Sequence, residues 1–300
     1  SSAASDVYKR QSHKVAGKTL SYNIKVAVWD NTSKITRYTA KTGTLPTNYS
    51  INYYEGMTLG EMWGYKCDGL FQSDEEAQTW ANYSKFTNRS ATWQAGDPRY
   101  LDLNGDGYVN NGNNTIYDHG DLVKIGNTTP RYSYSIQGGV RWNGIGISMM
   151  WQGVGKRDWY PAKESGYFWG QYGRPYSMAL PWHNSDRWSP TNRGAYWPRL
   201  VGYSASDSGL ILAQPNTRYV QDASYIRLKN LTIDYNFPKE LVNKIGLQAL
   251  KIYVSGENLL TFSPLKKYAK NYDPEGIYAG DADYGTNKFG SDNFGDGDGY

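Results

Sequence analysis

The clearest pattern of apolar and polar positions lies at 131–154. Tyr132, Tyr134, Ile136, Gly138, Val140 and Trp142 alternate with Arg131, Ser133, Ser135, Gln137, Gly139 and Arg141. A period of two held this long predicts a strand over 131–142, longer than globular strands usually run. Asn143-Gly144 is the preferred pair for a two-residue type I′ hairpin turn. Alternation resumes over 145–154 through Ile145, Ile147, Met149 and Trp151. The same reading predicts strands over 21–30, over 34–41 after a turn at 31–33, over 61–71, over 225–237 and over 249–257. Pro238 closes the strand over 225–237, because it cannot donate to a ladder. The connection 238–248 reads as a helical turn from Lys239 to Lys244, stopped by Gly246. Ser73 and Glu76 have capping-box spacing and predict a helix running to about Phe86.

The connections differ in length. Those at 31–33, 143–144 and 238–248 are short, whereas 72–130, 155–224 and 258–300 are long. Long structureless loops count against a compact soluble domain. Short turns at one end and long loops at the other are what a transmembrane β-barrel shows. If 21–30 runs toward the short-turn end, then 131–142 and 225–237 run the same way. A soluble β-sandwich or lectin-like domain also alternates. The difference is whether the apolar face meets a second sheet or lipid, with Tyr and Trp near the strand ends.

Composition sharpens this choice. The 300 residues include 28 Tyr and 11 Trp against 7 Phe, with 33 Gly. Mean hydropathy is −0.72, and no apolar run approaches the length of a membrane helix. Hydrophilic composition does not exclude a barrel, in which only alternate residues face lipid. A net charge of +4 is too small to argue for nucleic acid. One cysteine, Cys67, excludes an internal disulfide, and His13, His119 and His183 are too scattered for a histidine metal site. No charged segment followed by an apolar one marks a signal peptide at the start. The closing Gly/Asp run predicts that the polypeptide continues past Tyr300.

Three groups of residues carry candidate chemistry. Asp102-Leu103-Asn104-Gly105-Asp106-Gly107-Tyr108-Val109-Asn110 resembles the first part of a calcium loop. Its candidate ligands are Asp102, Asn104, Asp106 and Tyr108. The twelfth position is Asn113 rather than a bidentate Glu, with Asp118 or Asp121 as substitutes. The other reading is an Asx-turn cluster that caps itself. Trp159, Tyr160, Trp169, Trp182 and Trp188 stand among further aromatic residues between 155 and 200. Their rings suit stacking on a glycan or gripping a peptide, and suit packing or a protein interface better still. Catalysis finds little support. No nucleophile elbow or phosphate-binding glycine loop occurs, and Asp158, Glu164 and Asp186 are the carboxylates a glycosidase would use. The chain is expected not to be an enzyme and to need no cofactor beyond a structural calcium ion.

Longer segments carry a family resemblance. Gly64-Tyr65-Lys66-Cys67-Asp68-Gly69-Leu70-Phe71-Gln72 is similar to a recurring segment of SusC-like TonB-dependent transporters of Bacteroidetes outer membranes. So is Tyr100-Leu101-Asp102-Leu103-Asn104-Gly105-Asp106-Gly107, followed by Ile125-Gly126-Asn127-Thr128-Thr129-Pro130-Arg131-Tyr132. A third match runs from Asp222-Ala223-Ser224-Tyr225-Ile226-Arg227-Leu228-Lys229-Asn230-Leu231 through Val254-Ser255-Gly256-Glu257-Asn258-Leu259-Leu260-Thr261-Phe262. The resemblance covers about 21–276, in order. It implies an all-β fold, the C-terminal portion of an antiparallel transmembrane barrel of about 22 strands. The plug domain would lie elsewhere in the polypeptide, and 72–130, 155–224 and 258–300 would be extracellular. It further implies outer-membrane import of an oligosaccharide or peptide. The implied partners are a SusD-like lipoprotein lid, and TonB with ExbB/ExbD through a part of the protein not in this chain. A secreted, calcium-stabilised carbohydrate-binding β-domain is the reading from another class.

Overall fold

The computed structural model describes residues 5–14, 20–39, 42–46, 52–80, 93–162, 165–173, 179–201, 205, 211–212 and 214–277. Its strands are β1 (Ser5–Lys14), β2 (Leu20–Asp30), β3 (Glu61–Tyr65), β4 (Cys67–Leu70), β5 (Pro98–Tyr100) and β6 (Leu122–Asn127). They continue with β7 (Arg131–Trp142), β8 (Ile145–Lys156), β9 (Asp158–Trp159), β10 (Gln221–Asp222), β11 (Tyr225–Asn236) and β12 (Lys251–Phe262). The α-helices are short: α1 (Asp74–Thr79), α2 (Gly166–Trp169), α3 (Pro181–Ser185) and α4 (Lys239–Val242). Two compact units result. The first holds 1–32, 130–157 and 224–264; the second holds 33–129, 158–223 and 265–300.

The first unit is one antiparallel sheet in the order β1-β2-β7-β8-β11-β12. Asn143 and Gly144 adopt φ of 46° and 89°, the left-handed pair that a type I′ turn requires, and they join β7 to β8. Register then collects the apolar residues on one face. Val26 pairs with Ile136 and Tyr22 with Val140. Ile136 pairs with Trp151 and Val140 with Ile147. Ile147 pairs with Ile233 and Met149 with Leu231, and Ile233 pairs with Val254. This face is open: Ile24, Ile136, Val140, Ile147, Met149, Ile233 and Val254 are 38–73% exposed. A soluble sandwich would cover such a face with a second sheet.

The opposite face is polar. Arg141 and Asp234 both stand opposite Gly146 in register, and they meet across it at 2.7 Å. Lys251 approaches the same carboxylate at 3.6 Å. A Cβ on residue 146 would lie 2.5 Å from Asp234 Oδ2, so the ion pair depends on that glycine.

The structure corrects several expectations. No strand forms over the described part of 34–41; Lys34 makes only an isolated bridge to Thr58. The stretch 61–71 breaks into β3 and β4, which pair with β6 and β5 in the second unit and lie outside the large sheet. The hairpin partner of β2 is instead β1, which precedes it. The chain therefore leaves Asp30 into a long excursion, not a tight turn. Leu20 pairs with Trp142 beside the 143–144 turn, so β2 runs away from the short-turn end while β7 and β11 run toward it. The direction expected for 21–30 is reversed.

Strand β12 extends to Phe262, well past 257. Between Leu228 and Asn230 the register slips. These residues face Trp151 and Met150 on β8, and Leu260 and Glu257 on β12. The extra Lys229 on β11 is a bulge, which switches the parity of residues in register with a given face. Asn258 takes up its share with φ of 52°, a conformation Asn tolerates better than most residues. This irregularity hides the upper half of β12 from a period-two reading.

The small helices follow their caps. Ser73 Oγ accepts from Glu76 N at 3.1 Å, while Glu76 Oε2 accepts from Gln72 N at 2.7 Å, one residue before the N-cap. Helix α1 ends at Thr79, with Trp80 extended; the expected continuation toward Phe86 falls on residues outside those described. Between β11 and β12, α4 and a 3-10 turn at Asn243–Ile245 end on Gly246 at φ 77°.

Candidate functional site

The candidate site residues other than the strands lie in the second unit, which has an aromatic core. Trp197 is at its centre. Its ring stacks near Tyr172 and Tyr219 at 5.7 Å each and meets Phe168 edge-on at 5.0 Å and His183 at 4.4 Å. Trp159 packs on Tyr272 at 4.8 Å. Some polar tips of the rings find carbonyls: Tyr172 donates to Pro198 O at 2.6 Å, Tyr100 to Ile211 O at 2.7 Å, and Trp169 Nε1 to Pro161 O at 3.1 Å, whereas the indole N–H groups of Trp159 and Trp197 meet no acceptor among the described residues. Tyr and Trp suit this role because they bury large area and still place a donor where a loop backbone needs one.

Of the expected ligand-contacting residues, Trp159, Tyr160 and Trp169 are no more than 2% exposed. Their faces are occupied by other rings. Trp182 is partly buried against the same core, with Lys270 Nζ 5.9 Å from its ring centre. Trp188 is half-buried and lies over Gly96, where a Cβ would come within 2.6 Å of the indole. The aromatic segment thus fixes the shape of the loops and presents few free rings.

The motif segments are also structural. A Cβ on Gly64 would lie 2.2 Å from Pro215 O, so 215–217 can run beside β3, with Tyr65 N donating to Pro215 O and Thr217 N to Tyr65 O. Asp68 pairs with Arg99 at 2.7 Å, and Glu76 pairs with the same guanidinium. Cys67 donates to Gly69 O at 3.2 Å, and burial pushes its thiol up. Buried Asn216 donates to the Tyr160 hydroxyl at 3.2 Å. Asp97 and Arg199 form a bidentate pair at 2.6 and 3.0 Å. Neither residue carries a local sequence signal; each matters through a partner about a hundred positions away.

In the Asp102 loop the carboxylates face the backbone. Asp102 accepts from Gly105 N at 2.7 Å and Gly107 N at 2.8 Å, Asn104 from Asp106 N at 2.9 Å, and Asp106 from Tyr108 N at 2.8 Å. Asp121 accepts from Leu103 N and Asn110 N, and Asp118 from Asn113 N. Among the described residues no three of His, Cys, Asp and Glu converge as metal ligands. With its oxygens turned onto N–H groups, the loop holds its shape as successive Asx turns. Asp102→Ala is expected to speed hydrogen exchange at Gly105 and Gly107, at a local cost of about 1–2 kcal/mol. Unchanged exchange would remove Asp102 as the organiser.

Two of the glycosidase candidates each accept from a backbone N–H. Asp158 accepts from Asn127 N at 2.9 Å, and Asp186 accepts from Tyr196 N at 3.2 Å. Glu164 lies outside the described residues.

Buried His183 keeps Nε2 2.8 Å from Phe168 O, and burial lowers its pKa to about 4. In the unfolded chain the imidazole titrates near 6.5. As pH falls from about 6.5 toward 4, the unfolded chain gains a proton that the folded unit does not, so stability declines through that window. The full decline is about 3 kcal/mol at ~1.4 kcal/mol per unit. His183→Gln is expected to flatten the acid side of the thermal-stability profile; an unaltered slope assigns the acid sensitivity elsewhere.

Comparison with known proteins places these features. No family model matches the chain. It is similar to TonB-dependent receptor P3 of Formosa agariphila, 28% identical over 235 residues, covering 78% of this chain and 20% of that protein. TonB-dependent receptor P26 of the same organism is 27% identical over 198 residues, covering 65% of this chain and 17% of the receptor. Among solved structures, the RagAB peptide transporter superposes with a TM-score of 0.57 at 17% identity, over 91% of this chain and 26% of that one. The "closed-closed" state of the RagAB peptide importer gives 0.57 at 14% identity, over 95% and 28%. The chain therefore spans about a fifth of the receptors' length and about a quarter of the transporter chain. The six-stranded sheet, the three sequence segments and these matches together make the chain similar to part of the barrel of SusC-like TonB-dependent transporters of the bacterial outer membrane.

Proposed function

We propose that this chain supplies wall and loops to a TonB-dependent importer of an oligosaccharide or peptide, with a SusD-like lipoprotein closing over its outer side. The observation that carries the reading is the wall. Its apolar face is uncovered across β2, β7, β8, β11 and β12, while 31–130 and 157–224 both leave and rejoin it at the end opposite the 143–144 turn. In this reading those long connections face outward, and the aromatic core keeps them rigid enough to meet a lid and cargo. The chain performs no bond chemistry. Energy would arrive through TonB with ExbB/ExbD, engaged by another part of the polypeptide.

The test is uptake of labelled cargo by cells carrying the full-length transporter, with and without TonB, and recovery of a surface lipoprotein with the purified protein. Uptake that persists without TonB, or a transporter that never co-purifies with a lipoprotein, would overturn the corresponding half. A secreted carbohydrate-binding domain would need the apolar face covered, which the large sheet does not provide. A calcium ion at Asp102, Asn104, Asp106 and Tyr108 is tested separately: hydrogen exchange at Gly105 and Gly107 should slow on adding calcium, and an identical rate with chelator removes the ion.

A further inference from the structure

The short connection between β11 and β12 leaves apolar side chains uncovered. Phe237 N donates to Leu250 O at 3.0 Å, which closes the two strands one pair beyond Asn236 and Lys251. The chain then turns through α4 and the 3-10 turn. Val242 is buried and ties the turn down, but Leu241, Ile245 and Leu247 are 54%, 65% and 46% exposed. Leucine and isoleucine this open, grouped within seven residues, call for a cover.

Two observations identify it. The first is continuity. On β11 the lipid-facing positions run Leu231, Ile233, Tyr235, and on β12 Ile252 and Val254 stand beside them in register. Phe237 extends the stripe, its ring edge-on to Tyr235 at 4.8 Å, and the uncovered residues follow it in the chain. The second is charge. Lys239 and Lys244 stand among the patch residues in sequence, with Glu240 as the acid of the turn. Protein interfaces are depleted in lysine, whereas apolar residues interleaved with lysine mark segments that lie in a membrane interface. Lysine stems can cover apolar surface while the ammonium reaches water and phosphate.

We propose that this turn is a membrane-surface anchor. Leu241, Ile245 and Leu247 enter the boundary between headgroups and acyl chains of the adjoining leaflet, and Lys239 and Lys244 meet lipid phosphates. The proposal rests on the barrel reading, and its test separates the two. The full-length transporter, with Cys67→Ser and no other cysteine, is placed in phospholipid vesicles carrying spin-labelled acyl chains. Single variants Ile245→Cys, Ile233→Cys and Tyr117→Cys carry a fluorophore. Ile245 should be quenched at least about twofold more by shallow-labelled lipid than Tyr117, with Ile233 quenched best by deep-labelled lipid. Ile245 quenched by aqueous iodide but not by lipid, or shielded from both as a protein partner would shield it, overturns the anchor while Ile233 still reports the wall. Loss of lipid quenching at Ile233 as well overturns both.

Discussion

Arginine in place of Met149 is expected to cost the folded barrel about 2–4 kcal/mol, and arginine in place of Ser135 far less. Met149 sits mid-strand on the apolar face, paired with Gly138 and Leu231, and is 40% exposed. A guanidinium there must be dragged into hydrocarbon or deform the bilayer to reach water. Ser135 stands on the opposite face, between Ala27 and Gln152, where a charge stays off the apolar face. Depth sharpens the contrast. Arginine at Ile145, beside the 143–144 turn, should cost only about 0–1 kcal/mol, because the charge lies near the interface. Urea titration of the full-length transporter refolded in phospholipid vesicles measures all three. Equal losses at Met149 and Ser135, or no gradient toward Ile145, would mean that this face does not meet lipid.

The wall was readable because membrane strands must alternate and the alternation is local. Residues 131–142 and 145–154 show it through consecutive side chains, and Asn143-Gly144 names its own turn. The reading failed where geometry departs from period two. The bulge at Lys229 and the left-handed Asn258 hide the second half of β12. Strand direction failed for a different reason. The strand expected over 34–41 made 31–33 a tight turn and so pointed 21–30 toward the short-turn end; without it β2 is the direct antiparallel neighbour of β7 and runs the other way. The strand expected over 61–71 is instead a short one ending at Tyr65, where Gly64 leaves room for residue 215. No local pattern distinguishes an aromatic residue that faces lipid from one that fills a loop core. The crowded rings between 155 and 200 illustrate this: composition located them, and only packing shows that Trp159, Tyr160 and Trp169 are interior. The Asp102 loop was legible as geometry, because its Asx turns are local, whereas its chemistry was not.

Methionine in place of Arg199 is expected to destabilise the second unit by about 3–5 kcal/mol, more than alanine in place of Asp97. The two partners are unequally placed. The Asp97 carboxylate is fully buried, while the Arg199 side chain keeps 24% of its surface exposed. Removing the acid leaves a cation that can turn to water; removing the cation leaves a carboxylate that cannot. Burial already pushes the Asp97 carboxyl up despite the guanidinium beside it. A folded-state pKa above the unfolded value means the folded unit holds a proton that the unfolded chain has released. Stability therefore falls as pH rises through that window. Without Arg199 the carboxyl rises further, the window widens, and the loss grows. Acidification from neutral pH should accordingly recover part of the stability of Arg199→Met, and adding Asp97→Asn should abolish that recovery. Hydrogen exchange across 94–100 in the full-length protein reports the unit directly, because Asp97 also accepts from Gln94 N at 3.0 Å and Arg199 N donates to Gly96 O at 2.9 Å. Equal losses for the two single variants, with no dependence on pH, would show that the pair acts through packing alone.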